Sequence, residues 1–387
     1  MKPTNPLFTG LPTTVFEVMS RLAAETGAIN LGQGFPDVDG PEEIRRAAAQ
    51  SLIDGPNQYP SMMGTPDLRK AVAAANRRFH GLDVDWRSEV MVTSGATEAI
   101  CDAILALVSP GDEVVLIEPL YDCYLPMVRQ AGGVPKLVRI TPPGWEIDPA
   151  SLAAAFSDRT KAIVLNTPMN PAGKVFDETE LRMIADLCIR HDAYVIADEV
   201  YEHLVFDGRR HLSPMALPGM RERVVRIGSA GKTFSLTGWK IGYVTAAPHL
   251  LAPIAKAHQF VTFTTPPNLQ AAVAVGLAFD DDYFERFAAD LQAKRDRLSS
   301  GLANLGFDVL PSAGTYFVTT DTRPLGIADD REACERMTRE AGVAAVPVSA
   351  FYASEPPRTF IRFCFCKRDD VLDAALGRLR TFLRRAD

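Results

Sequence analysis

Short apolar runs alternate with helix-like segments along the first two thirds of the chain. Each run has five or six residues rich in Val, Ile or Leu, which is too short for a typical helix. This alternation is typical of a mostly parallel sheet covered by helices on both faces. The predicted strands are 89–93, 113–118, 161–166, 193–198, 223–228 and 241–246. The predicted helices among and before them include 41–53, 96–108, 121–131 and 177–191.

The pattern changes after about residue 248. A long helical region is predicted to continue to about residue 304, with a break around 262–268. Shorter strands and two helices follow, and the first forty residues read as irregular. We therefore predict a large domain over 39–280 and a smaller α+β domain formed by 1–38 and 281–387. The predicted elements of the smaller domain are strands 307–310, 315–320, 343–346 and 358–365 and helices 329–341 and 368–385.

Composition and charge exclude several classes of protein. Hydrophobic residues make up 47% and charged residues 23% of the 387 positions, which excludes extensive disorder. The 41 Lys and Arg are interspersed with 48 Asp and Glu, so we expect no nucleic-acid partner. Apolar runs fall well short of 18 residues, which predicts no membrane span. The amino terminus lacks an apolar segment of the signal-peptide kind, so we expect a cytoplasmic protein.

The cysteines are too sparse for a disulfide scaffold. There are six in the whole chain, and four of them are scattered. Cys364 and Cys366 form a Cys-x-Cys pair whose side chains point to one face of a predicted strand. We interpret them as buried strand cysteines rather than metal ligands, because no further ligands stand at suitable spacing.

Chemically useful residues follow four of the predicted strands. Strand 89–93 leads into Gly95-Ala96-Thr97 at a helix start, and strand 161–166 leads to Asn170. The next two strands lead to Asp198 and Lys232. Ligands in open α/β sheets lie beyond the carboxyl ends of the strands, so these groups are expected to share one edge. Alone, each has an ordinary structural explanation, such as a tight turn or a solvated lysine; together they predict one site.

This set suits pyridoxal 5'-phosphate. A lysine forms a Schiff base with its aldehyde, and a carboxylate pairs with its protonated ring nitrogen. A helix amino terminus can hold its phosphate through backbone N–H groups. The residues therefore predict a pyridoxal-phosphate enzyme with Lys232 and Asp198 at its centre.

Longer motifs resemble those of the class I and II aminotransferases of fold type I. The string GSAGKTFSLTGWKIGY is similar to the active-site lysine segment of that family. The strings NLGQGFPD, NQYP, NTPMNPAGKV, ADEVYEHL and FIRFCFCKRDD match the same family in the same order, so the resemblance covers nearly the whole chain. It is greatest to the branch of kynurenine/glutamine, methionine and N-succinyldiaminopimelate aminotransferases. The resemblance implies a large domain with a mostly parallel seven-stranded sheet and a smaller α+β domain.

The resemblance also implies roles for the residues around the cofactor ring. Lys232 would form the Schiff base and later move the substrate proton, and Asp198 would pair with the ring nitrogen. Asn170 and Tyr201 would hydrogen-bond the ring oxygen, while Tyr121 would stack on the ring. Lys232, Asp198 and Tyr201 are the implied catalytic residues.

The implied phosphate site combines backbone and side chains. Lys240 stands where some relatives have Arg, so the charge is retained while the two-pronged guanidinium grip is lost. Tyr59 would reach the phosphate of the neighbouring subunit, which implies a homodimer with shared active sites. The phosphate-binding set within one chain is Gly95, Ala96, Thr97, Ser229 and Lys240.

The substrate site follows from the same resemblance. Arg362 would bind the substrate α-carboxylate through both ends of its guanidinium group. The Gly34 backbone would line the same pocket, and aromatic residues would contact the substrate side chain. The implied substrate-binding set is Arg362, Gly34, Asn170, Phe16 and Phe263.

The implied reaction is a ping-pong transfer of an amino group from an L-amino acid to a 2-oxo acid. Residues 258–268 contain no Arg or Lys, which favours methionine, glutamine or aromatic donors over dicarboxylates. Other segments also resemble N-succinyldiaminopimelate aminotransferases, so that substrate remains an alternative. A cysteine-conjugate β-lyase would share the cofactor residues. A cofactor-sensing regulator is disfavoured, because we expect no added DNA-binding module.

Overall fold

The computed structural model describes residues 2–384, in which the strands form a seven-stranded sheet, a four-stranded sheet and one short pair. The strands of the large sheet are β2 (Val90–Ser94), β3 (Glu113–Glu118), β4 (Val134–Arg139), β5 (Thr160–Asn166), β6 (Tyr194–Asp198), β7 (Val224–Ser229) and β8 (Ile241–Thr245). The remaining strands are β1 (Ile29–Asn30), β9 (Asp308–Val309), β10 (Phe317–Asp321), β11 (Val343–Ala344), β12 (Val346–Pro347) and β13 (Phe360–Cys364).

Helices cover both faces of the large sheet and also pack against the smaller one. The amino-terminal helices are α1 (Pro6–Thr9), α2 (Val15–Thr26), α3 (Glu42–Asp54) and α4 (Pro66–His80). Those of the large sheet region are α5 (Gly95–Leu107), α6 (Tyr124–Gln130), α7 (Pro149–Ala154), α8 (Glu178–Arg190), α9 (Ala230–Thr233), α10 (Pro248–Val261) and α11 (Pro267–Leu277). The last are α12 (Asp281–Ala303), α13 (Asp330–Arg336) and α14 (Asp369–Leu383), of which α12 and α13 pack against the smaller sheet.

The large sheet has the order β2-β8-β7-β6-β5-β3-β4. Strand β8 runs antiparallel to both of its neighbours, and the other pairs are parallel. In the register of β5 and β6, Asn166 lies opposite Asp198. Two polar residues at the carboxyl ends of buried strands are thus side by side. The strand order and directions confirm the predicted α/β class with a mostly parallel sheet.

Strand β4 was missing from the pattern of apolar runs. It lies at the sheet edge with β3 as its single neighbour. Its sequence, VPKLVR, contains Pro135 and Lys136, and most of its residues are at least partly exposed. An edge strand needs no continuous apolar run and tolerates proline and charge, so the hydrophobic pattern did not reveal it.

The expectation of an irregular first forty residues was wrong. Helix α2 has Thr14 as its N-cap, whose side chain accepts a hydrogen bond from the N–H of Glu17, and it ends at Gly27 in the left-handed conformation. Strand β1 then pairs in parallel with β11. The segment therefore packs against the carboxy-terminal part of the chain.

The helical region after residue 248 has two breaks rather than one. Helix α10 ends at Val261, and a second interruption separates α11 from α12. The domain boundaries at 39 and 280 stay a prediction. Between residues 2 and 384, none of the helices has the length and apolar character needed to cross a bilayer.

Candidate active site

A cavity of about 400 Å³ lies where the large sheet, the amino-terminal segment and the smaller sheet meet. Its volume is in the range of small-molecule sites, roughly 300–1,000 Å³. Helix starts and strand ends of the large sheet form one wall, and β10 and β13 contribute to the opposite one. The predicted site residues that line it are Phe16, Gly34, Gly95, Ala96, Thr97, Tyr121, Asn170, Asp198, Tyr201, Ser229, Lys232, Lys240 and Arg362.

Lys232 lies at the centre of the cavity, in the short helix α9 that follows β7. Its Nζ donates a hydrogen bond to the Tyr316 hydroxyl at 2.9 Å. The same hydroxyl donates to the carbonyl oxygen of Gly34 at 2.6 Å. Desolvation lowers the pKa of Lys232, which favours the neutral amine that Schiff-base formation requires.

Asp198 ends the buried strand β6 and faces the same space. Its Oδ2 accepts a hydrogen bond from the Tyr124 hydroxyl at 2.5 Å, and Oδ1 accepts one from the N–H of Val200 at 3.4 Å. Burial raises the pKa of Asp198 despite these donors. The Asn166 amide donates to the Asp198 carbonyl oxygen at 3.0 Å and holds the strand end in place. A buried carboxylate in this setting calls for a cationic partner.

The amino terminus of α5 forms a cradle for an anion. Gly95 begins the helix with a φ of 76°, a conformation that strains any other L-residue. A Cβ at Gly95 would lie 3.3 Å from the Nζ of Lys240, so this cation stands directly over the helix start. A Cβ at Gly242 would lie 2.6 Å from the carbonyl carbon of Gly95, which shows how closely β8 approaches α5. Backbone N–H groups, a helix dipole and a cation therefore converge.

Arg362 lies fully buried in the middle of β13, with its guanidinium group facing the cavity. It donates from Nη1 to Oδ1 of Asn170 at 2.7 Å and from Nη2 to the carbonyl oxygen of Gly32 at 2.5 Å. The Phe317 ring lies 3.8 Å from its Cζ. Burial lowers the pKa of Arg362 to about 10. An arginine held this firmly without a carboxylate partner among the described residues can receive one from a ligand.

Asn170 and Tyr201 flank the cavity at the ends of adjoining strands. The backbone N–H of Asn170 donates to Oδ1 of Asn166 at 2.8 Å, which fixes the turn after β5. The Tyr201 ring lies edge-on to Tyr316, with centroids 5.3 Å apart. Tyr121 lines the opposite side, 5.8 Å from the ring of Tyr124.

Two predicted site residues lie outside this cavity. Tyr59 is 83% exposed and Phe263 is 40% exposed, and their rings meet edge-to-face at 5.5 Å on the surface. Such exposure is unusual for large aromatic side chains. Within one chain, Tyr59 and Phe263 therefore contact each other, but neither lines the cavity that contains Lys232.

Sequence reasoning missed several residues that organise the cavity. Tyr316 and Phe317 lie at the start of β10, and their contacts with Lys232 and Arg362 cross long stretches of chain. Tyr124 stands three residues after Tyr121, at the start of α6, and a turn closed by the hydrogen bond from its N–H to the Tyr121 carbonyl oxygen brings the two together. That spacing was the available signal for Tyr124, whereas no local signal marked Tyr316.

The side chains present fit pyridoxal phosphate. The cavity contains an amine of lowered pKa, a buried carboxylate, an anion cradle and an arginine, each from a different element. Lys232 and Asp198 would hold the aldehyde and ring-nitrogen ends, and the cradle at Gly95 the phosphate. The aldehyde, the ring nitrogen and the phosphate of the cofactor would thus each have a suitable group in the cavity.

Comparisons with known proteins agree with this chemistry. The sequence pattern described as "Aminotransferase class I and II" matches residues 26–379. A probable N-succinyldiaminopimelate aminotransferase of Mycobacterium tuberculosis is 46% identical over 384 residues, covering 96% of this chain and 97% of the relative. The methionine aminotransferase of Escherichia coli is 41% identical, covering 96% of each chain.

Solved structures give the same answer. The N-succinyldiaminopimelate aminotransferase of Mycobacterium tuberculosis superposes with a TM-score of 0.95 at 45% identity, covering 98% of this chain and all of the other. An Escherichia coli protein with a methionine aminotransferase function also has a TM-score of 0.95, at 40% identity and with the same coverage. The chain therefore belongs to the class I and II aminotransferases, pyridoxal-phosphate-dependent enzymes of fold type I.

Proposed function

We propose that this aminotransferase moves the amino group of a neutral L-amino acid, such as methionine, glutamine or an aromatic amino acid, to a 2-oxo acid. The observation that carries the assignment is the position of Lys232 Nζ in one cavity with Asp198, Arg362 and the α5 amino terminus. A ping-pong mechanism follows, because the donor and the acceptor would use the same arginine and the same lysine in turn.

Pyridoxal phosphate, when bound, supplies an electron sink for the bond pair released at the substrate α-carbon. Lys232 Nζ takes the α-proton and returns it, a role that its lowered pKa supports. Asp198 would pair with the ring nitrogen of the cofactor and keep it positively charged. The Asn170 amide and the Tyr201 hydroxyl add polar groups to the lining of the cavity.

Substrate binding relies on Arg362. Its guanidinium group is already oriented by Asn170 and by the carbonyl oxygen of Gly32, so little conformational freedom is lost when a carboxylate binds. Two parallel hydrogen bonds to an α-carboxylate would set the α-carbon near Lys232. The exclusion of water by the surrounding rings of Phe16 and Phe317 strengthens this pairing.

The charges of the cavity favour a neutral substrate side chain. Its cations are Lys232, Lys240 and Arg362, and each already has a proposed role. The other charged residues that line it, Glu17 and Asp122 besides Asp198, are acidic. A distal carboxylate would meet these acids with no spare cation from the described part of the same chain.

The second candidate substrate is N-succinyldiaminopimelate. It is favoured by the 46% identity to the probable Mycobacterium tuberculosis enzyme of that name. Side-by-side rates for methionine and N-succinyldiaminopimelate distinguish the two, and we expect methionine to be faster. Dominant activity on N-succinyldiaminopimelate would overturn the neutral-substrate proposal and leave the aminotransferase assignment intact.

A homodimer with shared active sites completes the proposal. Tyr59, Phe263, Ile53 and Phe260 are exposed apolar residues in or close after α3 and α10, and the rings of Tyr59 and Phe263 are in contact. A large exposed apolar patch is typical of an interface. We propose that Tyr59 reaches the phosphate and Phe263 the substrate pocket of the neighbouring subunit. The six free cysteines suit the reducing cytoplasm, where we propose the enzyme acts.

The absorbance spectrum tests the catalytic proposal directly. The purified enzyme should show a visible cofactor band that disappears when excess L-methionine is added alone, with release of the 2-oxo acid. The Lys232→Ala variant should bind the cofactor without turning over. Near wild-type turnover by that variant would refute the role of Lys232.

A further inference from the structure

A second group of ionisable side chains lies under the phosphate cradle, outside the cavity. His258 on α10 is fully buried against α5, whose first two turns carry Glu98 and Asp102. The His258 Nδ1 lies 2.9 Å from Oε1 of Glu98 and 3.4 Å from Oδ2 of Asp102. Neither oxygen of Asp102 receives a hydrogen bond from the described residues, although the side chain is completely buried.

Glu98 connects this group to the cradle. Its other oxygen, Oε2, accepts a hydrogen bond from the backbone N–H of Ser94, the residue just before Gly95. Burial acts to raise the pKa of Glu98, but hydrogen bonds from His258, Thr262 and Ser94 lower it overall. A carboxylate is therefore anchored within one turn of the site proposed for the phosphate.

Glu98 lies in the first turn of α5 below the proposed anion site, and Asp102 lies one turn further along the helix, so negative charge on both side chains opposes the binding of a phosphate. Such charges interact more strongly inside a protein than in water, because the effective dielectric constant there is lower. A cation that lies between the carboxylates and donates a hydrogen bond to Glu98 would reduce the repulsion between these carboxylates and a bound phosphate. His258 is placed to do both.

His258 also organises the surface proposed to meet the neighbouring subunit. Its carbonyl oxygen accepts hydrogen bonds from the N–H groups of Thr262 at 3.1 Å and Phe263 at 2.9 Å. Phe263 is thereby held at a φ of 73° with its ring against Tyr59. One residue therefore contacts the base of the phosphate cradle and the aromatic pair at the surface.

We propose that His258 is a positioning residue for the cofactor phosphate, acting as a buried cation that neutralises Glu98 and Asp102 beneath the cradle. This inference rests on the proposed phosphate site at Gly95. The titratable side chains that act on His258 from α5 are Glu98 and Asp102, and Cys101 lies beside them on the same helix. Burial raises the pKa of Asp102, so a nearby cation is needed to keep it ionised. Burial alone would lower the pKa of His258, but the two carboxylates raise it to about 9.

The sign of the pH dependence follows from that raised pKa. His258 is charged in the folded enzyme at neutral pH and loses its charge as the pH rises through about 9. Its contribution to phosphate binding is thus complete at neutral pH and lost in alkaline solution. The His258→Asn variant places a neutral amide donor near the position of Nδ1, so it has no charge to lose.

The test is equilibrium dialysis of the holoenzyme against graded pyridoxal phosphate, with bound cofactor read by absorbance. At about pH 7.5, we expect His258→Asn to bind the cofactor about fivefold more weakly than the wild type, since an ionised donor is roughly twice as strong as a neutral one. The ratio should approach one at about pH 10. Titration of Lys232 and of the phosphate is common to both proteins and cancels in the ratio.

His249→Asn is the matched control, because His249 lies on the same helix, is exposed and pairs with Glu222. It should bind the cofactor like the wild type at every pH. An equal affinity of wild type and His258→Asn, or a ratio independent of pH, would overturn the proposal. Failure of the wild type itself to bind the cofactor would instead refute the proposed function.

Asp102→Asn keeps the proposal testable if the His258 variant does not fold. Removing one of the two carboxylates lowers the charge that must be neutralised beneath the cradle. Cofactor affinity should then fall less between about pH 7.5 and pH 10 than in the wild type. An unchanged alkaline fall in Asp102→Asn would also contradict the proposal.

Discussion

Single side chains in the cavity are held by specific neighbours rather than by rotamer preference alone. Lys232 is bound by the Tyr316 hydroxyl, and Arg362 is bound by Asn170 and stacked on Phe317. Both cations therefore approach their ligands with much of the ordering already done, which favours tight and oriented binding.

Tyr316 is the residue whose removal tests this ordering. In Tyr316→Phe, Lys232 loses its hydrogen-bond acceptor and the Gly34 carbonyl loses its donor. We expect kcat/KM for the amino donor to fall about tenfold, since a hydrogen bond to a charged group contributes about 1.5–3 kcal/mol. Steady-state kinetics and the pH midpoint of the cofactor absorbance band measure the effect.

Tyr352→Phe is the control for Tyr316→Phe. Tyr352 is also buried and donates to a carbonyl oxygen, that of Ile140 at 2.7 Å, but it does not line the cavity. Both variants should lose about 1 kcal/mol of unfolding free energy. If their kinetics were indistinguishable, Tyr316 would have a structural role alone.

The helices and strands around the site are closely packed against one another. One close approach between backbones is that of β8 to the start of α5, where Gly242 faces Gly95. The anion cradle depends on this contact, because it sets Lys240, two residues before Gly242, over the helix amino terminus. Packing at this point therefore decides cofactor binding as well as stability.

Gly242→Ala should disturb both properties. Its Cβ would lie 2.6 Å from the backbone of Gly95, so the strand and the helix must separate. We expect a loss of about 2 kcal/mol of unfolding free energy, as for other overpacked sites, together with weaker cofactor binding. Gly238→Ala is the control, because a Cβ there meets no atom within 4 Å. Denaturant unfolding and cofactor titration measure these changes; equal behaviour of the two variants would contradict this account.

The predictability of elements followed their burial. Strands β3 and β5 form almost continuous buried apolar runs and were found within a residue of their true ends. Strand β4 was missed because an edge strand shows weak periodicity. Helix α2 was missed although Met19, Leu22 and Ala23 give it a buried face, because the Pro- and Gly-rich sequence before it obscured its start. The hydrophobic pattern predicts a strand or helix best where one or both of its faces must be apolar.

At the scale of the whole molecule, the exposed aromatic surface is the one that we propose meets a second copy of the chain. Phe260 is 84% exposed and lies three residues before Phe263, whose ring contacts Tyr59. It belongs to α10, which packs near β2, the edge strand opposite β4. A second copy of the chain would bury this surface and bring Tyr59 to a neighbouring cavity.

Phe260→Asp should weaken that dimer. A carboxylate in a buried interface loses hydration without gaining a partner, so we expect a dissociation constant at least about tenfold higher. Sedimentation at graded protein concentration measures it. Val134→Asp, which changes an exposed apolar residue on the edge strand β4, should leave assembly unchanged. A wild-type protein that sediments as a monomer at every concentration would contradict the proposed dimer.

The sequence by itself determined the fold class, the cofactor chemistry and the cavity wall formed by strand ends. These were predictable because parallel strands bring their carboxyl ends to one edge, so the order of Gly95, Asn170, Asp198 and Lys232 along the chain already implied their proximity. The family resemblance then added Arg362 from the far end of the chain.

Only the tertiary structure decided which residues hold these groups in place. Tyr316 meets Lys232 across 84 positions, Asn170 meets Arg362 across 192, and Glu98 meets His258 across 160. Such pairs depend on how separately folded elements pack, and no local periodicity or capping preference records that packing. The physical reason is that a strand or helix signals its own buried face in the sequence, but not the side chain it will face.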